Sequence, residues 1–272
     1  MQLSKRLAAL AGLVTPGHCL ADVGTDHGYV PIYLIEKKKI PRAIAMDINP
    51  GPLERAREHI RQFGYEDYIE TRLSDGVHAL GAGEADTVLI AGMGGALMQR
   101  ILEEGKRILS QVPELILQPQ SELYAMRRYL EAAGYEITRE AMVYEEGKYY
   151  PILKVRPGDF FWQEEKEGHR CRLEPGAEVF SGGREETGLS ESGLDLTDKA
   201  AVLREAEYYF GRIGLQQNPQ ELLGFVEKSI SVQRQILEGL SQTQGERTEK
   251  RRRQVEEMLV LLETCGQELR RL

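Results

Sequence analysis

Between residues 18 and 156 the chain alternates short β-rich runs with helix-forming stretches, and that alternation restricts it to a parallel sheet with helices on its faces. The expected strands are residues 18–24, 42–48, 68–74, 85–92, 114–119, 137–145 and 149–155. Helical patterns fall near residues 28–38, 50–63, 95–109 and 121–133. Only Glu146, Gly147 and Lys148 separate the last two strands, which leaves room for an antiparallel hairpin and not for a crossover helix. At the N-terminus, Lys5 and Arg6 precede an apolar stretch too short for a secretory leader. Leu3, Leu7, Leu10 and Leu13 instead line one side of an amphipathic helix.

The expected fold class is α/β: a class I (Rossmann-like) methyltransferase sheet of five parallel strands with a terminal antiparallel hairpin, which a dehydrogenase sheet does not need. Residues 157–197 break the rhythm. They are rich in Gly, Glu, Ser and Arg, hold the one tryptophan, Trp162, and read as an irregular linker or insertion. Beyond them Leu223, Ile230 and Leu237 recur every seven residues, accompanied by Val226, Gln233 and Leu240. Val255, Leu262 and Leu269 do the same with Met258, Cys265 and Leu272, so an antiparallel helical hairpin is expected. The expected organisation is a sheet domain over 1–156, a linker over 157–197 and a helical, coiled-coil-like domain over 198–272.

Charge constrains partners. The net charge is −8, and over residues 1–157 Lys and Arg number 19 against 21 Asp and Glu, leaving −6 for the remainder. Such a chain holds a polyanion only through local basic patches. Cys19, Cys171 and Cys265 are widely separated and odd in number, which excludes a disulfide framework and fits a reducing cytoplasm. His18, His27, His59, His78 and His169 show no ligand spacing, so no metal is expected. No apolar run approaches the ~20 residues of a membrane span.

The chemistry concentrates in Asp22-Val-Gly-Thr-Asp-His-Gly28, at the end of the first strand. Gly24 and Gly28 permit close backbone approach of a ligand. The dinucleotide fingerprint is absent because Asp26 stands where its second glycine would be, and this disfavours an NAD-dependent oxidoreductase. Asp26 would repel a pyrophosphate but tolerate the sulfonium and ammonium of S-adenosylmethionine. A plain strand-to-helix turn with a capping aspartate is the alternative. Asp47 closes the second strand, where an acid binds ribose hydroxyls, and Asp75 closes the third, where a carboxylate accepts from an adenine amino group. The fourth strand ends in a glycine cluster over 91–95, and the fifth offers Gln118 and Gln120 either as base-edge contacts or as strand caps.

These residues resemble one family, the bacterial tRNA (adenine(22)-N(1))-methyltransferases (TrmK). The resemblance rests on the LxxRLxxLAxLV opening from Leu3 to Val14, then ADVGTDHGYVP (21–31) and AMDINPGP (45–52). It continues through SDG (74–76), AGMGG (91–95), ILEEGK (101–106), LILQPQ (115–120) and YYPILKV, spanning about residues 1–156. The family commonly carries Asn where this chain has Gln120. The resemblance implies S-adenosyl-L-methionine as cofactor, tRNA as substrate and methylation of N1 of a D-loop adenine. It implies a cofactor set of Asp22, Gly24, Asp26, His27, Gly28, Asp47, Ile48, Asn49, Asp75, Gly76, Gly92, Met93 and Gly94. Asp26, His27, Tyr29, Gln118 and Gln120 are implied around the acceptor base. Candidate tRNA contacts are Arg6 beside Lys5, Lys38 within the run 37–39, Arg127 with Arg128, and Arg251 with Arg252 within 250–253. A monomer is the expected state. Two other readings share the sheet: a class I methyltransferase acting on another RNA, a protein or a small molecule, and a non-catalytic adaptor working through the helical hairpin.

Overall fold

The computed structural model describes residues 1–158, 195–240 and 245–272. The chain forms two compact units, Met1–Ser181 and Gly182–Leu272. Trp162, Cys171, His169 and most of the expected linker lie outside the described residues.

In the first unit, helix α1 (Lys5–Leu13) begins where the Ser4 hydroxyl accepts from the Leu7 amide, the usual means of satisfying an orphan N–H. There follow β1 (Leu20–Val23), α2 (Tyr29–Glu36), β2 (Ala43–Asp47), α3 (Pro50–Phe63), β3 (Ile69–Leu73) and β4 (Thr87–Met93). The order continues through α4 (Gly95–Glu104), α5 (Lys106–Leu109), β5 (Glu114–Pro119), α6 (Leu123–Ala132), β6 (Tyr135–Glu145) and β7 (Lys148–Pro157). The helix expected over 95–109 is divided at Gly105, where an added Cβ would lie 2.3 Å from Val77 Cγ2.

The strands form one sheet in the order β3-β2-β1-β4-β5-β7-β6, in which β7 alone runs antiparallel to the others. This is the Rossmann-like methyltransferase arrangement. Because β1 is flanked by β2 on one side and β4 on the other, the chain reverses its winding direction there. The carboxyl ends of β1 and β4 therefore border a crevice, the place where open α/β sheets bind ligands. One apolar cluster gathers Leu10, Leu34 and Ile60 from α1, α2 and α3; another gathers Ile101, Leu109 and Leu130 from α4, α5 and α6. β1 and β5 are buried along their whole length, their polar members Asp22, Glu114 and Gln118 included.

The β6–β7 turn is one residue tighter than the sequence spacing predicts. Glu146 and Gly147, at φ 49° and 81°, make the two-residue turn with both centres left-handed that matches strand twist. At the opposite end of the sheet from the crevice, Glu114 accepts from Thr15 and Thr87 and lies 2.6 Å from Lys154 Nζ, which also donates to the Leu13 carbonyl at 2.8 Å. Burial pushes the Glu114 carboxyl up, but the hydrogen bonds from Lys154, Thr15 and Thr87 outweigh it and hold it below the usual range.

The second unit contains α7 (Lys199–Phe210), capped by Asp198, then α8 (Pro219–Leu240) and α9 (Glu246–Leu269). The ion pairs Glu227–Arg270 and Arg234–Glu263, both 2.8 Å, run in opposite sequence directions and show that α8 and α9 are antiparallel. The expected stripe on α9 is buried from Val255 through Leu269, while Leu272 is exposed beyond the helix end. On α8 the burial falls on Val226, as the heptad spacing has it, but beside it on Leu222, while Leu223, Ile230 and Leu237 are half-buried. The reason is α7: α9 packs against both neighbours, so its apolar face is wide and the α8 stripe has less to meet.

Candidate active site

The turn after β1 bends sharply because two of its glycines take left-handed backbone. Gly24, at φ 76°, takes a backbone that side chains rarely adopt, and an added Cβ would lie 2.2 Å from the methyl carbon at the end of Met93, which would have to move. The amides of Gly24 and Thr25 donate to the Met46 carbonyl at 2.8 and 2.9 Å, tying the turn to β2. His27 is left-handed at φ 62° without being glycine, and Gly28 at 66° opens α2. Asp22 lies beneath this turn. Burial pushes its carboxyl up to about 6, the nearby Asp47 charge adds to the shift, and a Thr25 hydrogen bond opposes it.

Four other strand ends open on the same edge. Asp47 accepts from the Asn49 amide at 2.6 Å, and Ile48 beside it is 54% exposed despite its apolar side chain. Leu73, which ends β3, is likewise exposed. Asp75 stands 3.4 Å from Arg100, in a turn pinned by Ser74, whose hydroxyl bridges the Gly76 carbonyl and the Ala79 amide. In β4 the register against β5 slips between Ala91 and Met93, with Gly92 in left-handed backbone at φ 78°. Gly94 caps α4, whose first turn receives the Glu122 carboxylate at the Ala96 amide, 2.8 Å away.

The structure brings together Asp22, Gly24, Asp26, His27, Gly28, Asp47, Asp75 and the 92–94 turn at one edge of the sheet. It separates the two glutamines. Gln120 has an exposed side chain, and its backbone N–H donates to the Met93 carbonyl at 2.8 Å. Gln118 is fully buried, accepting from Arg6 Nη1 at 3.1 Å and donating to the Pro119 carbonyl at 3.1 Å. Both ends of its amide are engaged within the protein, so the expectation that it reads a base edge is corrected. The Arg6 guanidinium lies over the Tyr150 ring, 5.4 Å from the centroid, and faces the Gly92 bulge. It belongs to the rim of the site.

Of the other basic candidates, Lys38 and Arg128 are exposed. Arg127 is corrected. It is 3% exposed and paired at 2.9 Å with Glu140, itself 1% exposed, because the one polar position on the buried face of α6 meets a carboxylate of β6. Lys39, next to Lys38, donates to the Ala11 and Gly12 carbonyls at 2.8 and 2.9 Å and closes the end of α1. In the helical unit Arg251 and Arg252 are half-buried, Arg252 reaching the Leu240 carbonyl at 3.4 Å.

Sequence reasoning missed Arg55 and His59. Arg55 Nη2 lies 3.0 Å from Asp26 Oδ1. The His59 ring stacks on His27 and Tyr29 at 5.0 and 5.3 Å, and its Nδ1 meets the His27 carbonyl at 3.0 Å. The available signal was their spacing of four residues, which places both on one face of α3. Among the described residues no group of three or more His, Cys, Asp or Glu could hold a metal, and no helix is long and apolar enough to cross a membrane.

Comparison with known proteins adds to this geometry. The pattern of a methyltransferase domain matches residues 3–153. A Bacillus subtilis tRNA (adenine(22)-N(1))-methyltransferase is 39% identical over 159 residues, covering 58% of this chain and 67% of that protein. The chain belongs to the TrmK family. The crystal structure of a Bacillus subtilis M1A22 tRNA methyltransferase TrmK superposes with a TM-score of 0.71 at 28% identity, over 97% of this chain and 99% of that one. A Streptococcus pneumoniae protein solved in complex with S-adenosyl-L-methionine gives 0.70 at 27% identity, over 97% and 100%. The TrmK likeness therefore extends through the helical unit as well as the sheet.

Proposed function

We propose that this chain transfers the methyl group of S-adenosylmethionine to N1 of the adenine at position 22, in the D-loop region of tRNA. The observation that carries the reading is the cluster of acids and glycine turns at the β1/β4 crevice. The residues present fit a cationic cofactor: Asp22, Asp26, Asp47 and Asp75 border the same edge, beside the left-handed turn at Gly24. Bound there, S-adenosylmethionine supplies a methyl group on positively charged sulfur, which departs as a neutral thioether when the adenine N1 lone pair takes the carbon.

Asp22 receives the positive end of the cofactor, Asp47 the ribose hydroxyls, and Asp75 with the 92–94 turn the adenine. Exposed Ile48 provides an apolar face for that ring. Neutral adenine already has its N1 lone pair free, so no general base is needed, and the chain's task is alignment and charge. Asp26 faces the acceptor, taking a hydrogen bond from its amino group and favouring the positive charge that moves onto the ring. His27 and Tyr29 wall the acceptor position as a parallel stacked pair, with ring centroids 5.1 Å apart. Gln120 lies at the same edge. The target base must leave its stack before it can enter.

Lys38 and Arg128 on the first unit, and Arg251 and Arg252 on the second, serve the tRNA backbone in this reading. The sheet domain (1–156) carries chemistry and the helical domain (198–272) assists in tRNA binding. A chain that modifies tRNA works in the cytoplasm.

The test is incubation with S-adenosylmethionine and unmodified tRNA transcripts, followed by nucleoside mass spectrometry. The expected product is 1-methyladenosine, lost when adenine 22 is replaced. A chain that binds cofactor and makes no methylated nucleoside would overturn the reading.

A further inference from the structure

Asp26 is the most exposed of the four site acids held by named partners, its side chain 63% accessible. A carboxylate so placed rotates freely unless something fixes it, yet the role given it above needs one direction. The contacts around it converge on a single oxygen. Arg55 reaches Oδ1 with Nη2 at 3.0 Å and Nε at 3.4 Å, and His27 Nε2 lies 3.4 Å from the same Oδ1. None of these touches Oδ2. An ion pair between side chains 47% and 63% exposed adds little to stability, so folding alone gives a weak reason for it.

One turn further along α3, His59 treats the next residue similarly. A carbonyl only accepts, so the His59 Nδ1–H donates to the His27 carbonyl at 3.0 Å, while the ring packs on those of His27 and Tyr29. This supports His27 in a left-handed backbone that a non-glycine residue holds only under strain. Helix α3 itself begins directly after Asp47, Ile48 and Asn49. It thus joins the turn assigned to the cofactor ribose to the turn assigned to the acceptor.

We propose that Arg55 and His59 are positioning residues of methyl transfer: Arg55 anchors Asp26 through Oδ1 so that Oδ2 faces the acceptor amino group, and His59 fixes the backbone and ring of His27 beside it. The proposal rests on the tRNA-methylation reading above. Neither residue contacts substrate; both act through the turn over residues 26–28.

The experiment is a single-turnover assay of the full-length chain with saturating S-adenosylmethionine and varied unmodified tRNA. It compares wild type, R55Q, R55K, H59L, H59N, D26N and the D26N/R55Q double variant, with cofactor affinity measured by calorimetry. R55Q and H59L are expected to slow transfer by about tenfold or more, while KM for tRNA and Kd for cofactor stay within about threefold. R55K restores a cation and H59N a donor to the His27 carbonyl, so each recovers most of the lost rate. In the D26N background R55Q is expected to cost less than about twofold, because residues acting as one unit are not additive. Full activity of R55Q and H59L overturns the proposal, as does an equal cost of R55Q in both backgrounds. A raised KM for tRNA with unchanged rate overturns it too, making Arg55 a phosphate contact. Wild type that binds cofactor but forms no 1-methyladenosine removes the tRNA reading and this proposal together; an active wild type with unaffected variants removes this proposal alone.

Discussion

At the scale of single residues, the buried carboxyl of Asp22 has the plainest consequence. Its ordinary value of 3.8 rises to about 6 in the fold, so the folded chain holds a proton that the unfolded chain releases. The contribution of Asp22 to stability therefore declines as pH climbs from about 4 to about 6, whereas a cationic cofactor needs the ionised form. Affinity for S-adenosylmethionine is expected to be about tenfold weaker one pH unit below the midpoint, and Asp22→Asn to abolish that slope, as calorimetry at several pH values would show. Asp26→Asn is expected to slow transfer by about a hundredfold or more while cofactor affinity changes little. Equal loss of both would move Asp26 to the cofactor side. Arg127→Ala strands the Glu140 charge in the core and should cost about 3–5 kcal/mol, measured by denaturant unfolding. That Asp22, Asp47 and Asp75 gather at one edge was legible because each lies at or near the carboxyl end of a strand. Arg127 was misread because a doublet of arginines looks the same in sequence whether one of them points to water or to a carboxylate on β6. Arg55 and His59 escaped notice because their partners, Asp26 and His27, are distant in sequence.

At the scale of elements, all seven strands were legible from β-rich runs bounded by turn residues, and the helices beside them from apolar periodicity. Periodicity does not register local close packing, so the break at Gly105 was missed: it depends on Val77, from a different turn. It also could not supply α7, whose sequence carries no heptad and follows the irregular stretch. Without α7 the width of the buried face of α9, and hence the burial of Leu222 in place of Leu223 on α8, had no visible cause. The β6–β7 turn offers a test of its own. Glu146 holds φ 49° where asparagine is more at ease, and Gly147 already suits its place. Glu146→Asn is expected to stabilise the chain by about 0.5 kcal/mol, raising Tm by about 1–2 °C in calorimetry.

At the scale of the whole molecule, a net charge of −8 has to coexist with a polyanionic substrate. Attraction is then local and salt-sensitive, and tRNA affinity is expected to fall about tenfold or more between roughly 50 and 200 mM salt, read by filter binding or anisotropy. An affinity indifferent to salt would remove Lys38, Arg128, Arg251 and Arg252 from the tRNA surface. The sheet brings a further consequence through α1. The far end of that helix is knotted to Glu114 and Lys154 at one edge of the sheet, while Arg6 near its start leans over Gly92 and Gln118 at the other. The start of the chain is moored as well, with the Met1 ammonium on Glu36 and the Arg6 amide on Glu145, so α1 spans the sheet as a strut fixed at both ends.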